Sequence, residues 1–303
     1  MRPLSIAGRA MAGLAGIPAP APAPAPAPQA MGRHNRIIDL LAGRDVVFGW
    51  FAPAPTPEAA KRAAADPLMD FVFINMESPR AYDPAAIHAF EQAMLEAGLH
   101  TNPNTHPLAV RLPVFHDDPA AARTRVSAIL NMGAHAIVFP GMETAEEAAR
   151  AINAMRYAQA GVPAAEARAP GFGIAPGYWG MSDQEYEMRA DVWPQNRVGE
   201  LASIVIVESE LGLRNSRAIT KLRPTIAFAG PGTLRSVMKG DMAKVEAAIQ
   251  TQLASCREFD VPCGITANAG DVERRIREGF RVIIIYDRDW PETIRIGRKA
   301  AGR

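Results

Sequence analysis

Cysteine is scarce in this sequence, and it has no long apolar segment. Its two cysteines, Cys256 and Cys263, are too few for a disulfide framework in 303 residues, and their spacing does not match a metal site. We therefore expect free thiols in a reducing compartment, the cytoplasm. No apolar stretch reaches the roughly 18 residues of a membrane span, so a membrane is not an expected partner.

An excess of charge of either sign is also missing. Lys and Arg total 33 against 32 Asp and Glu, which gives a net charge of +1, and aromatic residues make up only 7%. Because no basic stripe interleaves with aromatic side chains, nucleic acid is not an expected partner either. The chain is 48% hydrophobic, which suits one domain of about 250 residues with an extension.

Residues 1–30 have a composition that cannot build a core. An alternating Ala-Pro run from Pro18 to Pro28 favours extended polyproline II backbone. Arg9 interrupts the apolar stretch that a signal peptide would need. We predict a disordered leader or a true start at Met31, with a cleaved secretory signal as the alternative, and a folded domain over residues 31–303.

From residue 31 onward, short apolar runs alternate with helical stretches of about 10 to 15 residues, a pattern typical of parallel βαβ units. The predicted strands are 46–51, 71–76, 108–114, 134–140, 201–209, 225–230, 263–267 and 281–286. The predicted outer helices are 57–66, 84–98, 119–133, 144–157, 214–223, 242–259, 271–278 and 290–303. Eight units favour a closed (β/α)8 TIM barrel over an open sheet, with an N-terminal helix, 35–44, across its bottom.

Charged residues stand where predicted strands end, which is where such barrels place their active sites. Glu77 follows the second strand, Arg111 lies in the third, and Glu208 ends the fifth. Arg binds a carboxylate with two prongs, and Glu can ligate a divalent cation or transfer a proton. The alternative is structural: Arg111 simply pairs with Glu77 or Glu208 in the barrel mouth.

A glycine-rich segment and two histidines also lie near the ends of predicted strands. Gly230-Pro231-Gly232 follows the sixth strand, where exposed backbone N–H groups can approach a ligand oxygen, although such a segment alone is usually just a turn. His116 lies among acidic residues on a predicted solvated loop, and His135 opens a strand at the wrong end of the barrel. We expect neither histidine to bind a metal.

A long insertion, residues 158–200, separates the fourth helix from the fifth strand. Loops of this length in a compact domain are usually functional or disordered. Its aromatic residues, including Tyr178 and Trp179, argue against disorder. We expect a lid or a contact between subunits.

Several of these segments together resemble the HpcH/HpaI aldolase family, in order and spacing, from about residue 35 to residue 290. The stretches that carry the resemblance are VRLP at 110–113, NMGA at 131–134, VFPGMETAEEAA at 138–149, VES at 207–209 and GP at 230–231. A Tyr-Trp-Gly segment at 178–180, followed by Ala-Asp-Val-Trp-Pro at 190–194, resembles one subgroup of that family.

The resemblance implies a metal-dependent aldolase that cleaves and forms carbon–carbon bonds of 2-oxo acids. In such enzymes Mg²⁺ or Mn²⁺, held by a Glu and an Asp, binds the 2-oxo acid and stabilises its enolate. The metal-binding Glu of the family falls on Glu208, and its carboxylate-binding Arg falls on Arg111. The family also implies a homo-oligomer, either a trimer or a hexamer of paired trimers.

Other family positions carry different residues here. The second metal-binding Asp is replaced by Thr233, the catalytic His by Ser78, and an Asp that supports the base of the next subunit by Asn131. An acidic residue and a Gln are likewise replaced, by Asn75 and Ile206. A single carboxylate weakens the expected metal site, and a serine is not a general base near neutral pH unless another group activates it.

Our leading hypothesis is a carbon–carbon lyase that cleaves a 2-oxo acid, such as a 4-hydroxy-2-oxo acid, and releases pyruvate or a related oxo acid. Arg111 anchors the carboxylate in this hypothesis, and the base is Glu77, Tyr178 or a water on a residual metal ion at Glu208. The alternatives are a barrel that has lost catalysis and serves as a binding or partner subunit, and a metal-independent reaction on the same barrel.

Overall fold

The computed structural model describes residues 32–77, 79–98, 106–286 and 288–303. Over these residues eight parallel strands close into a ring, because β1 (Val47–Phe51) pairs with both β2 (Phe71–Asn75) and β9 (Val282–Ile285). The ring is completed by β3 (Leu108–Arg111), β4 (Ala136–Phe139), β6 (Leu201–Val207), β7 (Ile226–Ala229) and β8 (Cys263–Ala267). A short extra strand, β5 (Val192–Trp193), pairs with β6 outside the ring. The predicted TIM barrel is confirmed.

Helices surround this ring. In chain order they are α1 (Arg36–Ala42), α2 (Pro57–Ala64), α3 (Pro84–Glu96), α4 (Pro119–Met132), α5 (Ala145–Asn153), α6 (Ala175–Trp179), α7 (Asp183–Arg189), α8 (Glu210–Lys221), α9 (Pro231–Val237), α10 (Met242–Phe259), α11 (Val272–Arg277) and α12 (Trp290–Ala300). The sequence analysis did not predict α9, which begins in the Gly-Pro-Gly segment after β7. That segment is therefore a helix start rather than an open turn.

Capping side chains determine where several outer helices begin. Thr56, Asp83 and Asp118 each accept a backbone N–H from the first turn, and a proline follows each of them directly. These three helices begin at the predicted residues. In contrast, α8 begins at Glu210 and not at residue 214, because the Ser209 hydroxyl already caps a helix there.

Alternation along each strand separates the barrel interior from the layer beneath the helices. In β2, Phe71 and Phe73 belong to the interior cluster, whereas Val72 and Ile74 pack outward against the helices. The interior is filled tightly: a Cβ atom built on Gly49 would lie 2.2 Å from the Phe71 ring. The barrel is therefore a packed core, and open space remains only towards its ends.

The N-terminal helix closes the amino-terminal end of the barrel, as predicted. Ile37, Ile38 and Leu41 of α1 are buried in the same cluster as the barrel interior. The backbone N–H of Asn35 donates to Glu200 Oε2 at 3.0 Å, just before β6 begins. These contacts make this end of the barrel structural.

The long insertion also packs at the amino-terminal end of the strands. The indole Nε1–H of Trp179 donates to the Gly133 carbonyl at 2.7 Å, and its ring stacks on His135, directly before β4. No described residue of the insertion lines the cavity at the carboxyl-terminal end. The expectation of a lid is therefore wrong for this barrel's own cavity, and a contact between subunits stays a prediction.

The two cysteines form a disulfide where we expected free thiols. Cys256 near the end of α10 and Cys263 at the start of β8 have Cα atoms 5.6 Å apart. The short connection from α10 back into the barrel brings the two side chains together, and both are buried. The expectation of two free thiols is wrong.

The sequence predicted a leader before residue 31 and a folded domain after it. The predicted leader, residues 1–30, and the candidate start at Met31 lie outside the described residues. Residues 33–303 form one compact unit. In the part of the chain that the structure describes, no helix is long and apolar enough to span a membrane.

A buried carboxylate ties the outer elements to the barrel. Asp70, directly before β2, is fully buried and accepts the Phe48 N–H at 3.0 Å. Two nitrogens of Arg303 lie 2.9 and 3.0 Å from its oxygens, and Arg36 and Arg298 approach it at 3.1 and 3.5 Å. This one carboxylate therefore connects α1, α12 and residue 303.

We predict that Asp70→Ala lowers the free energy of unfolding by about 3 kcal/mol, because it leaves three arginines without their shared anion. Chemical denaturation followed by circular dichroism measures this change. The matched control is Glu292→Ala, which removes a carboxylate from an exposed pair with Arg295 and should cost less than about 1 kcal/mol. Equal effects of the two substitutions would contradict the central role of Asp70.

Candidate active site

A cavity of about 1030 Å³ opens at the carboxyl-terminal ends of the strands. Its inner part is lined by side chains at interior positions of the barrel, among them Phe73, Arg111, Ile206, Glu208, Phe228 and Thr266. Active sites of (β/α)8 barrels lie at this end. This cavity is therefore the candidate active site.

Arg111 lines the cavity and holds two carboxylates, of which Glu208 lines the cavity as well. Nη2 of Arg111 lies 2.5 Å from Oε2 of Glu77 and 2.9 Å from Oε1 of Glu208. The side chains are 15%, 18% and 5% exposed, so all three charges are largely removed from water. The structural pairing that the sequence left open is thus present, and it includes both glutamates.

Strand alternation explains why these three side chains converge. In β6, Ile204 and Ile206 face the interior, so Glu208, two residues later, points inward as well. The same alternation turns Arg111 inward in β3 because Ala109 is interior. The charged residues at the ends of β3 and β6 therefore meet at the carboxyl-terminal end of the barrel interior.

The carboxylate of Glu208 is held by backbone as well as by Arg111. Its Oε1 accepts the Gly141 N–H at 3.2 Å, from the loop that follows β4. On the other side, a Cβ atom on Gly230 would lie 2.3 Å from Oε2, so only glycine allows this close approach. Gly230 therefore shapes the site, and its role in substrate binding stays a prediction.

The carboxylate of Glu77 has the clearest electrostatic perturbation in the cluster. Its pKa is raised above the ordinary 4.5, first by burial and then by the negative charges of Glu208 and Asp117, although Arg111 opposes this shift. The Asn75 side chain accepts the Glu77 N–H at 3.1 Å and thereby holds the turn that carries it. A positioned carboxyl group with a raised pKa is suited to proton transfer.

The residues present do not fit the two-carboxylate metal site of the family. Oε1 of Glu208 already receives the Arg111 cation and a backbone N–H, and the expected partner position holds Thr233, a neutral, exposed residue in the first turn of α9. Within the described ranges there is no group of three or more His, Cys, Asp or Glu side chains that could hold a metal ion. A divalent cation between Glu208 and Thr233 would meet one carboxylate and one neutral hydroxyl, next to the Arg111 guanidinium.

The structure separates Tyr178 from the other predicted catalytic residues. Its ring packs against Gly133 and lies edge-on to His135, both at the amino-terminal end of β4. The side chain is buried, and burial raises the pKa of its hydroxyl far above the ordinary 10. Tyr178 therefore cannot supply the base in its own barrel. Ser78 lies outside the described residues.

The sequence analysis did not expect His116 or His135 to bind a metal. The structure places His135 away from the Arg111 cluster and His116 beside a carboxylate. His135 is fully buried at the amino-terminal end, where burial lowers its pKa to about 3. His116 is 45% exposed, and its Nδ1 lies 2.7 Å from Oε1 of Glu147, an ion pair that the sequence did not reveal.

Sequence reasoning missed the outer wall of the cavity. Side chains from the outer helices line it, including Arg62 of α2, Arg235 of α9 and Arg275 of α11, together with Trp50 and Trp290. Trp50 points outward from β1, away from the barrel interior. The residues at the strand ends therefore gave no indication of this wall. Pro231, Gly232 and Thr233 also lie along the cavity, as predicted.

The chain is similar to proteins of known activity over most of its length. A family model described as HpcH/HpaI aldolase/citrate lyase matches residues 48–282. A hydroxypyruvate/pyruvate aldolase from Paraburkholderia phytofirmans is 29% identical over 259 residues, which are 83% of this chain and 90% of that protein. A 5-keto-4-deoxy-D-glucarate aldolase from Salmonella arizonae is 27% identical over 218 residues, 67% of this chain and 79% of that protein.

A solved structure supports the same fold. An HpcH/HpaI aldolase/citrate lyase family protein from Burkholderia cenocepacia matches with a TM-score of 0.68 at 24% identity, covering 87% of this chain and 96% of that one. At this identity the likeness bears on the barrel alone. The family model, however, spans most of the sequence and includes Arg111 and Glu208. The two relatives named above are aldolases, and the family is generally metal-dependent. The chain therefore belongs to the HpcH/HpaI aldolase/citrate lyase family.

Proposed function

We propose that this protein is a carbon–carbon lyase that cleaves a 4-hydroxy-2-oxo acid into an aldehyde and pyruvate or a related oxo acid. The observation that carries the proposal is the Arg111 cluster, in which one largely buried cation lies between the carboxylates of Glu77 and Glu208, and in which Arg111 and Glu208 line a barrel-end cavity. In this proposal Arg111 anchors a substrate carboxylate beside a group suited to proton transfer. Family membership supports this reaction class.

Arg111 binds the substrate carboxylate in this mechanism. Its Nη2 lies within hydrogen-bond distance of both glutamates, whereas its Nε–H is buried with no acceptor among the described residues. A buried unpaired donor is unfavourable, and a substrate oxygen would relieve that cost. In this proposal the guanidinium also stabilises the negative charge that develops on the 2-oxo group as the enolate forms.

Glu77 acts as the general base. In its ionised form it takes the proton of the 4-hydroxyl group, the C3–C4 bond breaks, and the electron pair passes to the enolate of the oxo acid. Protonated Glu77 then returns the proton to C3, so that the cycle leaves no net change on the protein. Glu208 holds Arg111 in place, and the Gly141 N–H fixes Glu208 in turn.

The proposed mechanism uses no metal, because the Glu208 and Thr233 pair does not offer the two carboxylates of the family's cation site. The substrate in this proposal is a small 2-oxo acid. Assembly into a homo-oligomer, a trimer or a hexamer, and a place in the cytoplasm stay predictions of the sequence.

Removal of the anchor should weaken substrate binding. We predict that Arg111→Ala lowers the affinity for pyruvate about tenfold or more, because charge-assisted hydrogen bonds are worth about 1.5–3 kcal/mol. Titration calorimetry measures this change. The affinity of Arg111→Lys should lie between those of the wild-type protein and Arg111→Ala, because lysine keeps the charge but loses the two-pronged geometry of the guanidinium. The control, Arg295→Ala, removes an exposed arginine outside the cavity and should leave the affinity unchanged. An unaltered affinity in Arg111→Ala would refute the anchor.

The cleavage rate should depend on the ionisation of Glu77. Its pKa is raised and the base must be ionised, so kcat/KM should fall with decreasing pH along a limb that lies above pH 4.5. Glu77→Gln should reduce cleavage about 10²- to 10⁴-fold and remove this limb.

A second variant tests the assignment of that limb. Asp117 raises the pKa of Glu77 by its negative charge, so Asp117→Asn should move the limb to lower pH while the plateau rate persists. A limb that stays in place in Glu77→Gln would show that another group titrates.

A further inference from the structure

Glu91 of α3 is a buried carboxyl group outside the active-site cavity. The residue is fully buried, and neither of its side-chain oxygens has a hydrogen-bond partner among the residues that the structure describes. Ile87, Phe90 and Met94 of the same helix belong to the apolar layer beneath the helices. A charge is costly in such surroundings, so burial raises the pKa of Glu91 well above the ordinary 4.5 and favours the neutral acid.

Two tyrosines of the long insertion lie close enough to Glu91 to respond to its charge. Tyr178 of α6 and Tyr186 of α7 are both buried; burial raises the pKa of each hydroxyl, and a negative charge on Glu91 raises it further. Both side chains pack on the end of α4, since the Tyr186 hydroxyl donates to the Leu130 carbonyl at 3.3 Å and the Tyr178 ring lies against Gly133. Glu91 therefore lies at the contact between the insertion and the helices α3 and α4.

The other titratable groups around this contact do not pair with Glu91. Arg168 of the insertion donates to the Tyr186 hydroxyl at 3.1 Å. His135 lies edge-on to Tyr178, and burial lowers its pKa to about 3, so that it is neutral. The two helices packed against α3 also carry charged side chains, none of which contributes to the shift in the pKa of Glu91: Glu58, Lys61 and Arg62 of α2, and Arg123 and Arg125 of α4.

We propose that Glu91 is a pH-sensitive switch: its neutral carboxyl group lets the insertion pack on α3 and α4, and its ionisation loosens that packing. A neutral carboxyl group without a partner costs far less inside the core than a charged one, so the ionised form favours a state in which water reaches it. The insertion is the part that opens, because it contributes only two short helices of five and seven residues to this contact. The proposal does not depend on the proposed lyase function.

The direction of the pH dependence follows from proton linkage. The folded protein keeps a proton on Glu91 at pH values where the unfolded chain, with an ordinary pKa near 4.5, has lost it. The stabilising effect of this proton is complete below pH 4.5 and is lost as the pH rises through the raised pKa. Within that window, one proton changes the unfolding equilibrium constant by about tenfold per pH unit.

Glu91→Gln isolates this effect, because the amide has nearly the shape of the neutral acid and cannot ionise. We expect the unfolding constant of the wild-type protein, divided by that of Glu91→Gln, to rise by up to about tenfold per pH unit above pH 4.5. Chemical denaturation from about pH 5 to about pH 9 measures this ratio, since full burial can raise a carboxyl pKa by several units. Glu96→Gln is the matched control, because Glu96 is an exposed glutamate of the same helix and its ratio should not change with pH.

Hydrogen–deuterium exchange followed by mass spectrometry locates the opening. At the upper end of the pH range, the amides of α6 and α7 should exchange about tenfold faster in the wild-type protein than in Glu91→Gln, whereas the amides of α10 should not differ. The wild-type protein alone gives a second test if the variant does not fold. Its α6 and α7 amides, corrected for the intrinsic rate, should lose protection relative to α10 as the pH rises.

Three results would overturn the switch. The first is a ratio of unfolding constants that does not change with pH, and the second is the same pH dependence for Glu91→Gln and Glu96→Gln. The third is an acceleration of exchange that is equal in α6, α7 and α10, which would show that the whole barrel responds and not the insertion.

Discussion

The arrangement of the active site depends on the single guanidinium of Arg111, which two carboxylates share at the base of the cavity. Two largely buried glutamates this close together would repel each other. The cation between them offsets that repulsion and stabilises the cluster. Burial raises the pKa of Glu77, the Arg111 cation opposes this shift without cancelling it, and the negative charges of Glu208 and Asp117 add to it. The same cluster is therefore both a structural ion pair and, in our proposal, the source of the proton-transfer group.

The two ends of the barrel have different roles. At the amino-terminal end, α1 and the insertion bury Trp179 and His135 in close packing, and this end contains the contacts that hold the fold. At the carboxyl-terminal end the packed interior gives way to charged side chains and to open space. Stability and chemistry are thus located at opposite ends of the same strands, as expected for this architecture.

Strand positions could be predicted because apolar runs and turn residues recur in order, and the rule that active sites lie at strand ends then singled out Glu77, Arg111 and Glu208. Tyr178 could not be placed in this way, since its position depends on how the insertion folds back beside Gly133. The disulfide depended on the short connection between α10 and β8, which thiol counting does not reveal. The outer wall was missed because Arg62 joins it through tertiary packing on two tryptophans.

The central claim is that the Arg111 cluster forms an enolate with this chain's own residues, in a site where Thr233 replaces the family's second metal-binding Asp. The most direct measurement is hydrogen–deuterium exchange of the pyruvate methyl group in D₂O, followed by proton NMR in the presence of a chelator. We predict exchange that persists with the chelator and is lost in Glu77→Gln. Exchange that appears only after Mg²⁺ is added, or no exchange in folded wild-type protein, would contradict the account.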